Sequence, residues 1–345
     1  MNRTLRIVLS VTISAVFLGF AIRKVDWGEA AAALAAAHYV YVLPMFGVTI
    51  WTLYIRAQRW RILLRPVGTP AMRTLVSATN IGFMANMVLP LRVGEVIRPV
   101  LVSRKENEPL SGILATVVLE RIFDMFTILF LFGVAASLVA VSDQVRQWGY
   151  YLSGLAAAVA AAVIIVRWQE ALALRMLQLA LRPLPAAIAA PVDNFFRGFV
   201  QALETLQSPL TFVQLLGWSL YLWLVIAAIY LLGILAFDIP APLLVGSITV
   251  SAIAELLVAS ITVSAIVAIA VSVPQAPGYI GSFQLGCTLS LAIFNVSQSH
   301  AIAYSIVSHL TQFAAVVAAG LYSLAREGMT MRQLEAVSEA NGTAV

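Results

Sequence analysis

The chain has 345 residues, of which 61% are hydrophobic and 11% are charged. Soluble domains are usually about half apolar and about a quarter charged, so this composition excludes an ordinary soluble domain and indicates an integral membrane protein. The formal charge of +5 is too small and too dispersed to indicate a nucleic-acid partner, and the single cysteine, Cys287, excludes an intrachain disulfide.

The N-terminus predicts a first membrane span that stays in the protein. Arg3 and Arg6 precede an uncharged run at residues 7–22, and charged residues follow it where a cleavable signal peptide has small ones. We therefore expect a signal anchor rather than a cleaved leader.

Apolar stretches of about 20 residues, the length that crosses a bilayer, predict about eight transmembrane helices. These stretches cover residues 5–22, 39–55, 110–140, 148–166, 210–237, 243–273, 279–294 and 301–325. The predicted fold class is all-α, a polytopic membrane protein. One transmembrane domain is expected over residues 1–325, followed by a polar tail at 326–345.

A ninth apolar stretch predicts a re-entrant broken helix near residues 74–98. Both of its flanks, segments 56–73 and 92–108, are rich in arginine. Arginine-rich loops lie on the cytoplasmic side, which places both flanks and the N-terminus in the cytoplasm of a bacterial cell. A segment that enters and leaves on one side of the membrane does not span it, and Pro90 and Gly94 mark where its helix breaks.

A second broken segment is predicted near residues 273–283, which read VPQAPGYIGSF. Its two prolines and two glycines do not fit an undisturbed helix. A new helix that begins near Tyr279 would point free backbone N–H groups into the bundle, and helix N-termini favour anions. Gly278 and Gly281 are therefore candidate binding positions. The alternative is a plain kink or a tight loop.

The longest loop predicts two amphipathic helices within residues 169–206. Polar residues recur there at helical spacing on one face, with apolar residues on the other. Such helices lie in the membrane interface. The alternative is that they pack on the bundle as ordinary connectors.

One predicted span carries three charged residues, Glu120, Arg121 and Asp124, about 16 Å into the membrane. Each unpaired charge at this depth costs about 2.5–3.5 kcal/mol, so these residues must pair or face water. Arg121 and Asp124 are neighbours on the helix, which leaves one carboxylate over. Arg92 or Arg98 of the broken segment is its expected partner. The cluster predicts a site for a polar headgroup, with a structural ion-pair network as the alternative.

Two further titratable residues lie in predicted spans. Glu255 is the only acid between Asp238 and Arg326 and is a candidate for energy coupling, with a tolerated, protonated carboxyl as the alternative. His309 is interpreted as a packing residue.

Four segments resemble a known family. They read RAQRWRILLRP at 56–66, NMVLPLRVGEVIRPVLV at 86–102, ERIFD at 120–124 and PQAPGYIGSFQ at 274–284. Their order and spacing resemble the lysylphosphatidylglycerol synthase transmembrane region family, also called the flippase-like or YbhN/AglD-type family, over nearly the whole chain. Gln284 departs from the pattern, because many relatives are expected to carry a carboxylate there. The short polar tail leads us to expect no soluble synthase domain.

The resemblance implies a protein that flips a lipid or lipid-linked headgroup between leaflets and that is not an enzyme. The candidate substrate-binding residues are Asn86, Arg92, Glu95, Arg98, Glu120, Arg121, Asp124, Gly278 and Gly281, in which the arginines would hold the headgroup and the acids would orient the arginines. Arg59 and Arg61 would gather anionic lipid at the cytoplasmic entrance.

The expected partners are the membrane and an anionic phospholipid or a polyprenyl- or hopanoid-type lipid. No cofactor, metal or nucleic acid is expected, and a homo-oligomer stays open. One alternative is an intramembrane transferase that acts on a lipid-linked sugar or aminoacyl donor, with Glu95, Glu120 or Asp124 as general base. Another alternative is an ion-coupled carrier of small solutes.

Overall fold

A computed structural model of the chain describes residues 3–89, 92–138, 143–239, 250–272, 276–331 and 333–334. Within these ranges the chain is all-helical and contains thirteen α-helices, so the predicted fold class is confirmed at this level. Pro90, Pro274 and most of the predicted polar tail lie outside the described residues.

The helices differ widely in length. They are α1 (Arg3–Ile22), α2 (Trp27–Ala36), α3 (Val42–Leu63), α4 (Met72–Val88), α5 (Gly94–Glu106), α6 (Leu110–Leu138), α7 (Asp143–Trp168), α8 (Glu170–Leu181), α9 (Ala186–Leu203), α10 (Pro209–Ala236), α11 (Val250–Ala270), α12 (Ser282–Ala292) and α13 (Gln298–Arg326).

Three segments among the described residues are long and apolar enough to cross a membrane. They are Tyr39–Leu63, which is α3 with the short helical turn before it, Pro209–Ala236 and Gln298–Arg326. The first segment runs past the predicted end at residue 55, so Arg56, Arg59 and Arg61 lie on a helix and not in a loop. The extension follows from packing, because Ala57, Trp60 and Leu63 on the same helix are fully buried.

Helices α4 and α5 form a hairpin, called the first hairpin below, that enters and leaves at one end of α13. Near that end, Asn80 of α4 donates to Ser323 (3.0 Å), and Lys105 of α5 contacts Glu327 (2.7 Å) just beyond α13. The far end of α4 reaches only to Phe313, near the middle of α13, where the Met87 carbonyl lies beside Gly278. The hairpin therefore penetrates about half the depth of the bundle.

The break in the first hairpin has a local cause. Helix α4 ends at Val88, since Leu89 has an extended backbone (φ −100°, ψ 149°), and Arg92, just before α5, has a φ of 54° in the left-handed region. A Cβ at Gly94 would lie 1.9 Å from the carbonyl oxygen of Gly82, so only glycine lets α5 start this close to α4.

Helices α11 and α12 form a second hairpin, which enters the bundle from the end opposite to that of the first hairpin. Gly286 of α12 lies against Val267 of α11 near the interruption. Helix α12 then runs to the end of the bundle where α13 begins, and there Ser297 donates to Glu29 (2.6 Å). The two interruptions meet inside the bundle, where the guanidinium of Arg92 lies 5.4 Å from the ring centre of Tyr279.

The second interruption starts its new helix later than predicted. Pro277–Tyr279 forms only a short 3₁₀ turn, and α12 begins at Ser282, because Gly278 (φ 72°) and Tyr279 (φ 57°) have left-handed backbones. The Gly281 N–H donates to the side chain of Gln284 (2.8 Å). One backbone N–H group at the start of α12 is therefore already hydrogen-bonded within the protein.

The two amphipathic helices predicted within 169–206 are present as α8 and α9. Helix α9 packs closely on α6, because a Cβ at Gly198 would lie 2.9 Å from the backbone of Ser111. Gln201 also donates to the carbonyl of Pro66 (2.8 Å). Helix α9 thus packs on the bundle, whereas α8 buries none of its residues.

The close approach of α4 and α13 can be tested at Gly320. A Cβ there would lie 2.2 Å from the Met84 Cβ, so Gly320→Val should force the helices apart and cost about 1–3 kcal/mol. The control is Gly217→Val, which introduces the same residue on α10 with no atom within 4 Å of the new Cβ. Thermal unfolding in detergent, followed by tryptophan fluorescence, measures both. Equal shifts of Tm would contradict the assigned contact.

The Lys105–Glu327 pair should give a pH-dependent contribution to stability. The hydrogen bond from Lys105 lowers the pKa of Glu327 below its ordinary value of 4.5. The pair therefore stabilises the fold above that pH and loses its effect as pH falls through the lowered pKa. Glu327→Gln should lower stability at neutral pH by less than about 1 kcal/mol, because solvent screens the pair.

Unfolding in urea at about pH 7 and about pH 3 measures this difference, since the lowered pKa lies below 4.5. The difference between the mutant and the parent should be smaller at the lower pH, because a larger fraction of Glu327 is protonated there. The control is Glu204→Gln at an exposed position, whose effect on stability should not decrease in this way at the lower pH. If Glu327→Gln lowers the stability by the same amount at both pH values, the ion pair is not the cause of the loss.

A buried arginine–carboxylate cluster beside a central cavity

Helices α3 and α6 bring opposite charges together in the interior. Arg59 of α3 is fully buried and lies three residues from Arg56, on the same face. Its Nη1 donates to Asp124 Oδ1 (2.6 Å), and its Nη2 lies 3.3 Å from Glu120 Oε1. The two acids are one turn apart on α6, so one arginine reaches both.

Glu120 is the centre of the cluster. It is fully buried and contacts three arginines: Arg59, Arg98 Nη2 (2.5 Å) and Arg121 Nη2 (2.8 Å). The prediction that Arg92 or Arg98 pairs with the remaining carboxylate is confirmed for Arg98. Arg92 lies instead 3.6 Å from Glu95.

Asp124 forms the second half of the cluster. It accepts from Arg59 and from the indole N–H of Trp223 (3.2 Å), and it lies 3.4 Å from Arg121 Nη1. Arg56 Nη1 is farther away, at 3.9 Å. Arg56 is therefore less tightly paired than Arg59.

The cluster borders a cavity of about 620 Å³. Its charged lining residues are Arg56, Arg92, Glu95, Arg98, Arg121 and Asp124. Arg121 keeps 38% of its side-chain surface exposed and Arg92 keeps 23%, so these two arginines are not sealed inside the ion pairs. The volume falls within the range of about 300–1,000 Å³ that is usual for ligand sites.

The cavity extends to the outer surface of the bundle on an apolar side. Leu155 of α7 and Ile269 of α11 both line it and are 57% and 37% exposed. Met125 and Leu129 of α6 line it as well. The wall is thus charged in the interior and apolar where the cavity approaches the surface.

Several lining residues were not predicted as site residues. Phe83, Tyr230, Tyr279 and Gln312 line the cavity, as does Trp223, which the sequence indicated only as an interface or packing aromatic. Tyr279 had one detectable signal, its position between the predicted Gly278 and Gly281. Nothing in the sequence distinguishes the other four from core residues.

The two predicted glycine positions lie apart from the other candidate residues. Gly278 and Gly281 are absent from the described lining of the cavity. Gly281 is needed for packing, because a Cβ there would lie 2.3 Å from the Ser14 carbonyl oxygen. Gly278 is buried beside Met87 and Phe313, and it is Tyr279 that faces the cavity.

The remaining candidates lie in different environments. Asn86 lines the cavity and is buried. Arg61 is exposed near the end of α3, whereas Arg59, predicted at the same entrance, is in the interior because it pairs with the acids of α6. Glu255 is half-buried on α11 and is not among the described lining residues.

Within the described residues, no three His, Cys, Asp or Glu side chains are grouped so as to hold a metal ion. His309 stacks on Phe283 with ring centres 4.5 Å apart, and its Nδ1 lies 3.1 Å from Gln284. This agrees with its interpretation as a packing residue.

Comparison with known proteins agrees with the resemblance of the motifs. The family described as "Lysylphosphatidylglycerol synthase TM region" matches residues 7–320. A curated protein of Haloferax volcanii named "Glycosyltransferase AglD" is 33% identical over 110 residues, which are 32% of this chain and 16% of that protein. The match thus spans a small part of that relative. No solved structure is significantly similar to the chain.

The central position of Glu120 predicts a large loss of stability when its charge is removed. Glu120→Gln leaves buried arginines without their carboxylate and should cost about 3–5 kcal/mol. Glu170→Gln, at an exposed position on α8, is the control and should change little. Thermal unfolding in detergent measures both variants.

A double-mutant cycle shows whether the loss arises from the ion pair itself. Arg98→Met combined with Glu120→Met should cost less than the sum of the two single changes, because the pair is removed together. Additive costs would contradict direct coupling between the two side chains.

Proposed function

Because the chain belongs to the lysylphosphatidylglycerol synthase transmembrane region family, we propose that it is a flippase, which moves an anionic phospholipid or lipid-linked headgroup between bilayer leaflets. The observation that carries this proposal is the cavity of about 620 Å³, into which Arg92 and Arg121 remain partly exposed at the meeting point of two broken helices. Interrupted helices near the membrane midplane are where transporters bind their substrates.

The proposed membrane arrangement has about eight spans in the bacterial cytoplasmic membrane, with the N-terminus in the cytoplasm. The first hairpin would then be re-entrant from the cytoplasmic side. Its two ends lie at the same end of α13, and that end carries Arg73, Arg104 and Lys105, which supports this orientation.

The arginines have different proposed roles. Arg92 and Arg121 would bind the phosphate group through charge-assisted hydrogen bonds, with Asn86 beside them in the cavity. Glu120 and Asp124 would orient Arg121, and Glu95 would orient Arg92. Arg59 would hold both acids of α6 in place from behind.

The apolar side of the cavity supports a lipid rather than a free solute. Acyl or prenyl chains would stay in the bilayer beside Leu155 and Ile269 while the headgroup crosses the charged interior. Arg61, exposed near the end of α3, would attract anionic lipid to the cytoplasmic entrance, an effect of about 1 kcal/mol per basic residue. Glu255 stays a proposed coupling residue.

A transferase is the second candidate, because the similar protein from Haloferax volcanii is named a glycosyltransferase. In this case Glu95, Glu120 or Asp124 would act as general base on a lipid-linked donor. Glu120 and Asp124 are held by arginines that stabilise their ionised forms, which favours a structural role for them over proton transfer.

Replacement of Arg121 tests the proposed function. The protein is reconstituted into phosphatidylcholine liposomes with phosphatidic acid or phosphatidylglycerol labelled on an acyl chain, and dithionite quenching of the outer leaflet reports movement. Arg121→Gln should slow the movement about tenfold or more, because it removes a charge-assisted bond to the headgroup. The matched control is Arg175→Gln at an exposed position on α8, which should leave the rate unchanged.

The same liposomes also distinguish a flippase from a transferase. Anionic lipids that move no faster than in protein-free liposomes would overturn the flippase proposal. Mass spectrometry of lipids extracted from the same liposomes, supplied with a lipid-linked sugar, detects transferase activity as a covalently altered lipid.

A further inference from the structure

The charges around the cavity do not balance. The arginines that line the cavity or lie directly behind it are Arg56, Arg59, Arg92, Arg98 and Arg121. The carboxylates are Glu95, Glu120 and Asp124. Five permanent positive charges thus face three negative charges, an excess of two. The lining of the cavity alone also has an excess of two positive charges, because it contains four of these arginines and only two of the acids, Glu95 and Asp124.

The carboxylates are shared unequally: Arg92 pairs with Glu95, whereas the other four arginines share Glu120 and Asp124. Arg59, Arg98 and Arg121 each lie within 3.4 Å of a carboxylate oxygen, whereas Arg92 lies 3.6 Å from Glu95 and Arg56 lies 3.9 Å from Asp124. Both loosely paired arginines line the cavity. Since four arginines share two carboxylates and three of the four line the cavity, the surplus positive charge lies at the cavity wall.

Six polar atoms of cavity-lining arginine, asparagine and aspartate side chains have no hydrogen-bond partner among the described residues. They are the donors Arg56 Nη1, Arg92 Nε, Arg98 Nε and Arg121 Nε and the acceptors Asn86 Oδ1 and Asp124 Oδ2, and each of these atoms is itself buried. Buried donors in folded proteins are almost always paired. The exposed parts of Arg92 and Arg121, 23% and 38% of their side chains, are the surface at which a ligand with two negative charges would compensate the excess.

The following inference rests on the proposed function. We propose that the substrate class is a lipid whose headgroup ends in a doubly charged phosphate, which is either a phosphomonoester or a diphosphate. A phosphomonoester carries a charge of about −1.5 to −2 at neutral pH and has three strong acceptor oxygens. A phosphodiester carries one negative charge and has two free oxygens, so it leaves one positive charge uncompensated.

The tyrosine and tryptophan groups beside these arginines complete the subsite. Tyr279 lies under Arg92 at 5.4 Å, and Trp223 donates to Asp124, so both aromatic side chains are used in holding charged groups. The apolar side at Leu155 and Ile269 gives the lipid chains a place outside the charged region. A free phosphate ion would leave this side empty.

Two lipids that differ by one methyl group test the charge requirement. Phosphatidic acid is a phosphomonoester, and phosphatidylmethanol is its methyl diester with the same chains. The purified full-length protein is reconstituted with each labelled lipid at about pH 9, where the monoester carries close to two negative charges. Phosphatidic acid should move about tenfold faster than phosphatidylmethanol after subtraction of protein-free liposomes.

Arg92→Gln lowers the positive excess of the cavity wall from two to one and should reduce this ratio towards one, while Arg175→Gln should preserve it. Equal rates for the two lipids in the unmodified protein would overturn the inference and leave the flippase function standing. No movement of either lipid would overturn both. Uptake of radiolabelled inorganic phosphate by the same liposomes, without movement of lipid, would overturn the assignment to a lipid-linked phosphate.

Discussion

The contact of one buried carboxylate, Glu120, with three arginines is the interaction on which the rest of the interior depends. A charge removed from water is costly unless it is paired and hydrogen-bonded. Glu120 is fully buried, and its partners Arg59, Arg98 and Arg121 come from α3, α5 and α6. None of the four groups can be moved without leaving an uncompensated charge in an apolar region. The ion pairs thus fix the relative positions of three helices where apolar side chains alone would permit sliding.

The interrupted helices follow from the same constraint. Arg98 reaches Glu120 only because α5 starts inside the bundle, immediately after the break at Arg92 and Gly94. The second hairpin ends at the same depth from the opposite side and places Tyr279 against Arg92. Where two helical hairpins end inside a bundle, neither fills the space beyond its tip. The cavity of about 620 Å³ lies at this meeting point.

The cavity combines two surfaces that an amphiphile needs. The inner wall presents arginines such as Arg56 and Arg121, and the side near Leu155 and Ile269 is apolar and partly exposed. The cluster behind the wall is therefore structural, and the wall itself is available for a ligand. Two alternatives at the level of sequence thus apply to two layers: the ion-pair network to the inner layer of Glu120 and Arg59, and the proposed headgroup site to the layer at the cavity, which contains Arg92.

The sequence by itself determined the all-helical class, both interruptions, the amphipathic helices α8 and α9, and the need of Glu120 for a partner in the broken segment. These are local properties, set by hydrophobic periodicity, by helix-breaking residues and by the cost of burying charge. Tertiary structure alone decided that Arg59 is internal and that Trp223 lines the cavity. An arginine near the end of an apolar stretch normally marks a loop, and only the carboxylates of a helix about sixty residues later make its burial favourable. That compensation depends on how distant helices pack, which the neighbouring residues in the sequence do not encode.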